Sequence, residues 1–328
     1  MRPNSSNSPA AVLALLVACG KPAADPPSHG SAVATPPVGS AGSVRSASSP
    51  ATACTQLPFA ESTPVPEASG AAWVVVDGKP LLAVISDSGN HGAYGLVDPE
   101  TGATTLQGQI PLGNLGDDFE GLASRHGELF GILSPGYVVK LAWHDGALGA
   151  SAPHALGPQI TGNTHQSAMS DRPITDPGVV CGGVHNANCG RNFEGFCLDD
   201  STAYTRGPCA GFAAAKSDGK LFCVRELDGA YTVDTALSIE VAKPGQLADC
   251  AFDDTGRLWV GNNLFGASTV SRIDNWQDPS HAKVVPLGSL GTGFPEVIAA
   301  RGDIIYRMSD TGGSPSLMTK FRCPASTR

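Results

Sequence analysis

The chain has 328 residues, a formal net charge of −9 and a pI of about 5.3. Binding to nucleic acid needs a basic face, so this balance argues against that class of partner. Charged residues are only 16% of the chain, so Ser, Thr, Asn and Gly must cover much of the surface, as suits an exported β-rich protein.

Arg2 supplies the only positive charge of a short leading region, and residues 10–18 ("AAVLALLVA") form an apolar run too short to span a bilayer. The run ends at Cys19 in "LVACG". This stretch resembles the lipobox of bacterial lipoprotein signals, in which the Cys is lipidated after cleavage. The resemblance implies a signal peptide over residues 1–18 and Cys19 as the acylated first residue of the mature chain. Its acyl chains would act together as the membrane anchor, since one chain alone binds only marginally. An ordinary secretory signal with an incidental Cys is the rival reading. In residues 20–53, 25 of 34 positions are Ala, Pro, Ser or Gly and none is aromatic. Such a segment cannot offset its ordering entropy by burial, so residues 19–53 read as the lipidated Cys and a disordered tether. The expected address is the bacterial cell envelope, lipid-anchored, with the outer membrane preferred because Gly20 is not an acidic retention cue. Expected partners are the membrane, through the anchor, and an envelope partner or small-molecule ligand, on a monomeric domain.

The folded domain is expected over residues 54–328. With Cys19 set apart, eight of the nine Cys remain: Cys54, Cys181, Cys189, Cys197, Cys209, Cys223, Cys250 and Cys323. An even number in an exported domain reads as disulfides. Cys54 and Cys323 open and close the domain and are expected to pair. Cys181 with Cys189 and Cys197 with Cys209 would clip local loops, leaving Cys223 with Cys250. A zinc site is the rival for the central four, although no C-x-x-C pair is present.

Forty Gly and 26 Pro punctuate short apolar runs that often alternate. Units of similar build recur. Each is a small apolar strand, a Gly-containing turn, a stronger strand and another strand. They begin near Ala71, Glu120, Gly211, Asp249 and Glu296. Units of this period indicate a β-propeller of five or six blades, stapled by disulfides. A sixth blade would have to lie in residues 148–189, which read equally as one stapled insertion. The last unit shows only three strands, and residues 54–66 could supply its fourth. A pair of β-sandwiches and a β-helix are the rival architectures.

The stretch "GDDFEGLASRHGELFG" (residues 116–131) crowds Asp117, Asp118 and Glu120, and "GRNFEGFCLDD" (residues 190–200) repeats part of it around Glu194. Glu120, Asp249 and Glu296 fall at matching starts of inner strands, with Glu194 joining them if "NFEGFC" opens a blade. Carboxylates converging on one axis need a counter-charge, and Ca²⁺ or another divalent cation is a natural one. The rival reading is that they lock neighbouring blades by accepting backbone hydrogen bonds. "LADCAFDDTGRLWVGNN" (residues 247–263) resembles the metal-binding blade of gluconolactonase/regucalcin-like propellers, and "FEGLASRHGELFGI" (residues 119–132) resembles that family's opening motif. "DFEGLA" also resembles a run in esterase-like phytases. The resemblance implies Asp249 and Glu120 as ligands of a divalent ion. It also implies hydrolysis of lactones or phosphoesters as the alternative to simple binding. For that chemistry His185 is a candidate acid/base and Arg191 an anion contact. "DSGNH" (residues 87–91) has the composition of a cation-binding loop and equally of a plain turn.

Overall fold

Short apolar segments broken by Gly and Asp-Gly pairs fold here as antiparallel strands. At Asp145-Gly146 and Asp228-Gly229 both residues have positive φ, the backbone of the two-residue hairpin turn that matches strand twist. The structure, a computed structural model, describes residues 54–113, 115–157, 161–165, 174–180, 191–201, 207–264 and 267–323. The strands at 161–165 and 174–180 are described by backbone alone. The signal, Cys19, the tether, Cys181, Cys189 and His185 lie outside the described residues.

Two short strands come first, β1 (Thr55–Leu57) and β2 (Ser62–Pro66). Blade one is β3 (Ala68–Val76), β4 (Lys79–Ser86), β5 (Ala93–Val97) and β6 (Thr104–Gln109). Blade two is β7 (Phe119–Arg125), β8 (Glu128–Leu133), β9 (Tyr137–His144) and β10 (Ala147–Ala150), with β11 (His154–Ala155) beside β9. A separate hairpin follows, β12 (Thr161–His165) with β13 (Ile174–Val180). Blade three is β14 (Phe193–Leu198), β15 (Gly211–Ala215), β16 (Lys220–Leu227) and β17 (Ala230–Glu240). Blade four is β18 (Leu247–Phe252), β19 (Leu258–Leu264), β20 (Ala267–Asp274) and β21 (Lys283–Ser289). Blade five is β22 (Phe294–Arg301), β23 (Ile304–Asp310) and β24 (Pro315–Arg322), completed by β1.

The fold is thus a five-bladed all-β propeller. The first strand of each blade touches the first strand of the next, from β3 round through β7, β14, β18 and β22 and back to β3. Five apolar clusters fill the five gaps between neighbouring blades. Each blade therefore buries both faces, which is why its central strands carry continuous apolar runs rather than clean alternation. The third blade begins at Phe193, one strand earlier than the unit legible from Gly211. Residues 148–189 give β10 and β11 to blade two and the β12–β13 hairpin, and no sixth blade among the described residues.

The ring closes through the N-terminal strands, as the three-strand last unit requires. Both β1 and β2 pair with β24. Cys54 is bonded to Cys323 across 269 residues of sequence. Trp73 Nε1 donates to the Ala300 carbonyl at 2.8 Å and Tyr306 Oη to the Pro99 carbonyl at 3.1 Å, so the first and last blades are also joined by buried hydrogen bonds. The central disulfides differ from the local pairing expected. They are Cys197–Cys250 and Cys209–Cys223. Proximity in sequence misled here because Cys197 lies on β14, which packs against β18 of the next blade, where Cys250 sits. Cys209 instead crosses its own sheet to β16. Being paired, these four thiols are not zinc ligands.

Candidate functional site

A β-bulge recurs at one place in every inner strand. The register skips one residue between Ala68 and Gly70, Phe119 and Gly121, Phe193 and Gly195, Leu247 and Asp249, and Pro295 and Val297. The five unpaired residues are Ser69, Glu120, Glu194, Ala248 and Glu296. A bulge frees and re-aims one side chain per strand, so three of five hub positions carry carboxylates. Asp249 is one residue out of step with them, a correction to the matching read from sequence. It shares its position with Gly70, Gly121, Gly195 and Val297.

That position explains the repeated Glu-Gly. A Cβ on Gly70 would stand 2.7 Å from the backbone of Gly121, and one on Gly121 2.7 Å from the Phe196 nitrogen. One on Gly195 would stand 2.8 Å from the Asp249 Cα. In blades one to three the inner strands meet their next neighbour here with no room for a side chain, so the glycine is a packing requirement there and the residue before it is free to vary.

Asp249 does what a blade-locking acid does. Its Oδ1 accepts the Cys250 amide at 2.7 Å and its Oδ2 accepts the Ile298 amide of the next blade at 3.0 Å. Burial pushes its carboxyl well up, against the pull of those two amides and of Arg307. Arg307 is itself buried, and burial lowers its guanidinium to about 10. It donates to the carbonyls of Val297 at 2.7 Å and Pro295 at 2.8 Å and to Ser268 Oγ at 2.8 Å.

The hub glutamates have different surroundings. Glu194 accepts from Asn192 Nδ2 at 2.7 Å and from Lys216 Nζ at 2.8 Å, so both its oxygens are engaged. Glu296 Oε1 lies 3.8 Å from the same Lys216. Burial raises both carboxyls, Glu296 to about 8, with Lys216 opposing. Burial also works against the charge of Lys216, but Glu194 and Glu296 outweigh it and hold the ammonium above its usual range.

Glu120 is only 3% exposed, and its carboxylate has no hydrogen-bond or ion-pair partner among the described residues. Burial, then the charges of Glu194, Asp87 and Asp118, push it well above the ordinary carboxyl range. Asp87, in the loop after β4, and Asp118, just before β7, each place a carboxylate oxygen within 4.8 Å of Glu120 and of one another. Ser134 Oγ donates to Asp118. The Asp87 loop is fixed by the Gly89 amide donating to Asp117 at 3.1 Å and by Asn90 Nδ2 donating to Glu67 at 2.6 Å. Burial raises Asp87 to about 7, opposed by the Ser88 amide.

Of the residues singled out in the sequence, the structure gathers Glu120, Glu194 and Glu296 around one end of the hub and sets Asp249 into the wall between blades four and five. Arg191 is tied to Asp218 by two hydrogen bonds of 2.8 Å and stacks on Phe222, its Cζ 4.4 Å from the ring centre. Asp87, Asp118 and Lys216 are the residues that sequence reading passed over as site members. The signals were present in "DSGNH" and in the paired Asp before Glu120. What joins Asp87 to Asp118 is the meeting of the loop after β4 with the entry to β7, and Lys216 is placed by the turn after β15, neither of which linear spacing shows.

No family model and no curated protein sequence matches this chain. Solved structures similar to it include a PQQ-bound aldose sugar dehydrogenase from Streptomyces coelicolor, at 16% identity over 84% of this chain and 100% of that one, TM-score 0.47. Glutaminyl cyclase from Myxococcus xanthus is 12% identical over 84% of this chain and 99% of that one, TM-score 0.46. Regucalcin, a calcium-binding protein from Agrobacterium tumefaciens, is 11% identical over 81% of this chain and 96% of that one, TM-score 0.40. No site residue is carried over from them.

Proposed function

We propose that this chain is an envelope-tethered binding propeller whose acidic hub mouth takes a divalent cation, Ca²⁺ by preference, and presents it to a ligand or partner. The observation that carries the reading is the Asp87–Asp118–Glu120 triad, with oxygens mutually within 4.8 Å and Glu120 buried without a donor. Two ligands of one Ca²⁺ at the usual bond length lie no more than about 5 Å apart. An all-carboxylate oxygen set suits a hard cation and not a soft one. The donor set therefore fits the ion on charge, spacing and chemistry. Glu194 and Glu296, neutralised in part by Lys216, form the wall beside it rather than ligands. Tethering rests on the lipobox-like "LVACG" and the Ala/Pro/Ser/Gly run that follows it.

A second reading, metal-dependent hydrolysis of lactones or phosphoesters, is favoured by one observation. Burial raises Glu296 to about 8, with its Oε1 3.8 Å from Lys216, close to the range in which a carboxyl exchanges a proton as a general acid or base. A bound divalent ion would supply polarisation of a carbonyl or phosphoryl oxygen.

Metal analysis of the purified chain, with Ca²⁺ titrated against its melting temperature, tests the first reading. Free Ca²⁺ at 100 times its Kd is expected to add about 2.7 kcal/mol of stability. No bound ion and no shift would remove both readings.

A further inference from the structure

The opposite end of the hub holds a second site. A cavity of about 690 Å³ opens among the exit ends of the inner strands and runs outward between blades one and two. That volume lies within the range of small-molecule sites. The close approach of Gly70, Gly121 and Gly195 to their neighbours lies between this cavity and the acidic mouth, since the strands pass from one to the other through that level.

The walls are apolar and the rim is not. Leu122, Leu198 and Phe252 line the inner part and Trp143 the outer part, while the Trp73 indole at the edge turns toward blade five. Val75, at the outer edge of the cavity, is 72% exposed. The rim carries three carboxylates, Glu128, Asp200 and Asp254, against two cations, Lys140 and Arg301, while Asp253 behind them is buried and bound to Arg257. Both cations are already engaged. Lys140 is paired with Glu128, while Arg301 stacks on Trp73 with its Cζ 5.0 Å from the ring centre and lies 3.9 Å from Asp254. Among the described residues no lining cation is left to meet an anionic ligand, whereas the one surplus carboxylate, Asp200, and the indole ring of Trp143 favour a positive one.

We propose that this cavity binds an amphiphilic organic cation of drug-like size, its apolar body between blades one and two and its positive group toward Asp200 and Asp254. The site is independent of the cation-binding mouth and does not rest on it. A ligand entering here desolvates Trp143, so its arrival is read in indole fluorescence.

Three probes of similar size separate the possibilities when titrated against the full chain: 9-aminoacridine as an aromatic cation, N-phenyl-1-naphthylamine as a neutral body, and 1-anilinonaphthalene-8-sulfonate as an anion. The account expects the cation to bind at least about 10-fold more tightly than the anion, with the gap narrowing as salt screens the rim. Ser124→Trp, at a partly exposed lining position, is expected to weaken the cation by about 10-fold or more by filling the space. Asp254→Asn is expected to weaken the cation by about 3-fold and leave the neutral probe unchanged. Both variants should keep the wild-type melting temperature and the wild-type response to Ca²⁺. Equal affinity for cation and anion, no binding of any probe, or undiminished cation binding in a folded Ser124→Trp would overturn the proposal.

Discussion

The hub carries buried acids in two places, and they are solved differently. Between blades four and five, Asp249 is saturated by two backbone amides and faced by Arg307. Between blades one and two, Glu120 sits beside two further carboxylates with no donor of its own. Burial is equal, at 1% for Asp249 and 3% for Glu120, so depth does not distinguish lock from site. Satisfaction does. A buried carboxyl with a donor on each oxygen belongs to the fold, and one with no protein donor costs stability that a bound cation returns.

The largest break in that comparison should come at the lock. Asp249→Ala removes the acceptor of two buried amides and one partner of a buried Arg. It is expected to cost about 3–5 kcal/mol in urea unfolding at neutral pH. A cost below about 1 kcal/mol would make the two regions alike. Lys216→Met comes next, since it strips the counter-charge from Glu194 and Glu296. A loss on the order of 2 kcal/mol at pH 8 is expected, shrinking at pH 5 as the carboxyls take up protons.

The fold was largely legible in the sequence, and the site only in part. Five units could be counted because each blade must carry a stronger second strand after a Gly turn. The missing strand of the last blade pointed to residues 54–66 because a ring of sheets needs closing. The Glu-Gly repeat was visible too, but its two residues serve different ends, and only the bulge register shows it. Asp249 looked equivalent to Glu120 because both begin an apolar strand. One residue of slip turns a side chain from hub mouth to blade wall, and spacings that vary with loop length cannot resolve one residue. Cys54 and Cys323 pair as expected, and the expected pairing of Cys197, Cys209, Cys223 and Cys250 failed for a related reason. Cys197 is close to Cys209 along the chain but meets Cys250 across a blade interface.

A pH series sharpens the contrast with a smaller effect. Glu296 rises from an ordinary 4.5 to about 8 on folding. A carboxyl with a raised folded value contributes stability that is fully present below its unfolded value and lost as pH climbs through its folded one. Stability of the cation-free chain should therefore fall between about pH 4.5 and pH 8, and Glu296→Gln should flatten that slope. A stability that rises across this window in the wild type, or an unchanged slope in the variant, would count against the described surroundings. The smallest effect is expected at Glu120 itself. Glu120→Gln keeps the shape and mimics the protonated acid that burial and the neighbouring carboxylates favour, so the cation-free variant should be as stable as the wild type or slightly more so, within about 1 kcal/mol.

Direct Ca²⁺ binding by equilibrium dialysis tests the central claim, on three chains held well below their melting temperatures. The account predicts one ion per chain in the wild type and in Asp249→Asn, and none in Glu120→Gln. An ion retained by Glu120→Gln, or lost from a folded Asp249→Asn, would contradict it.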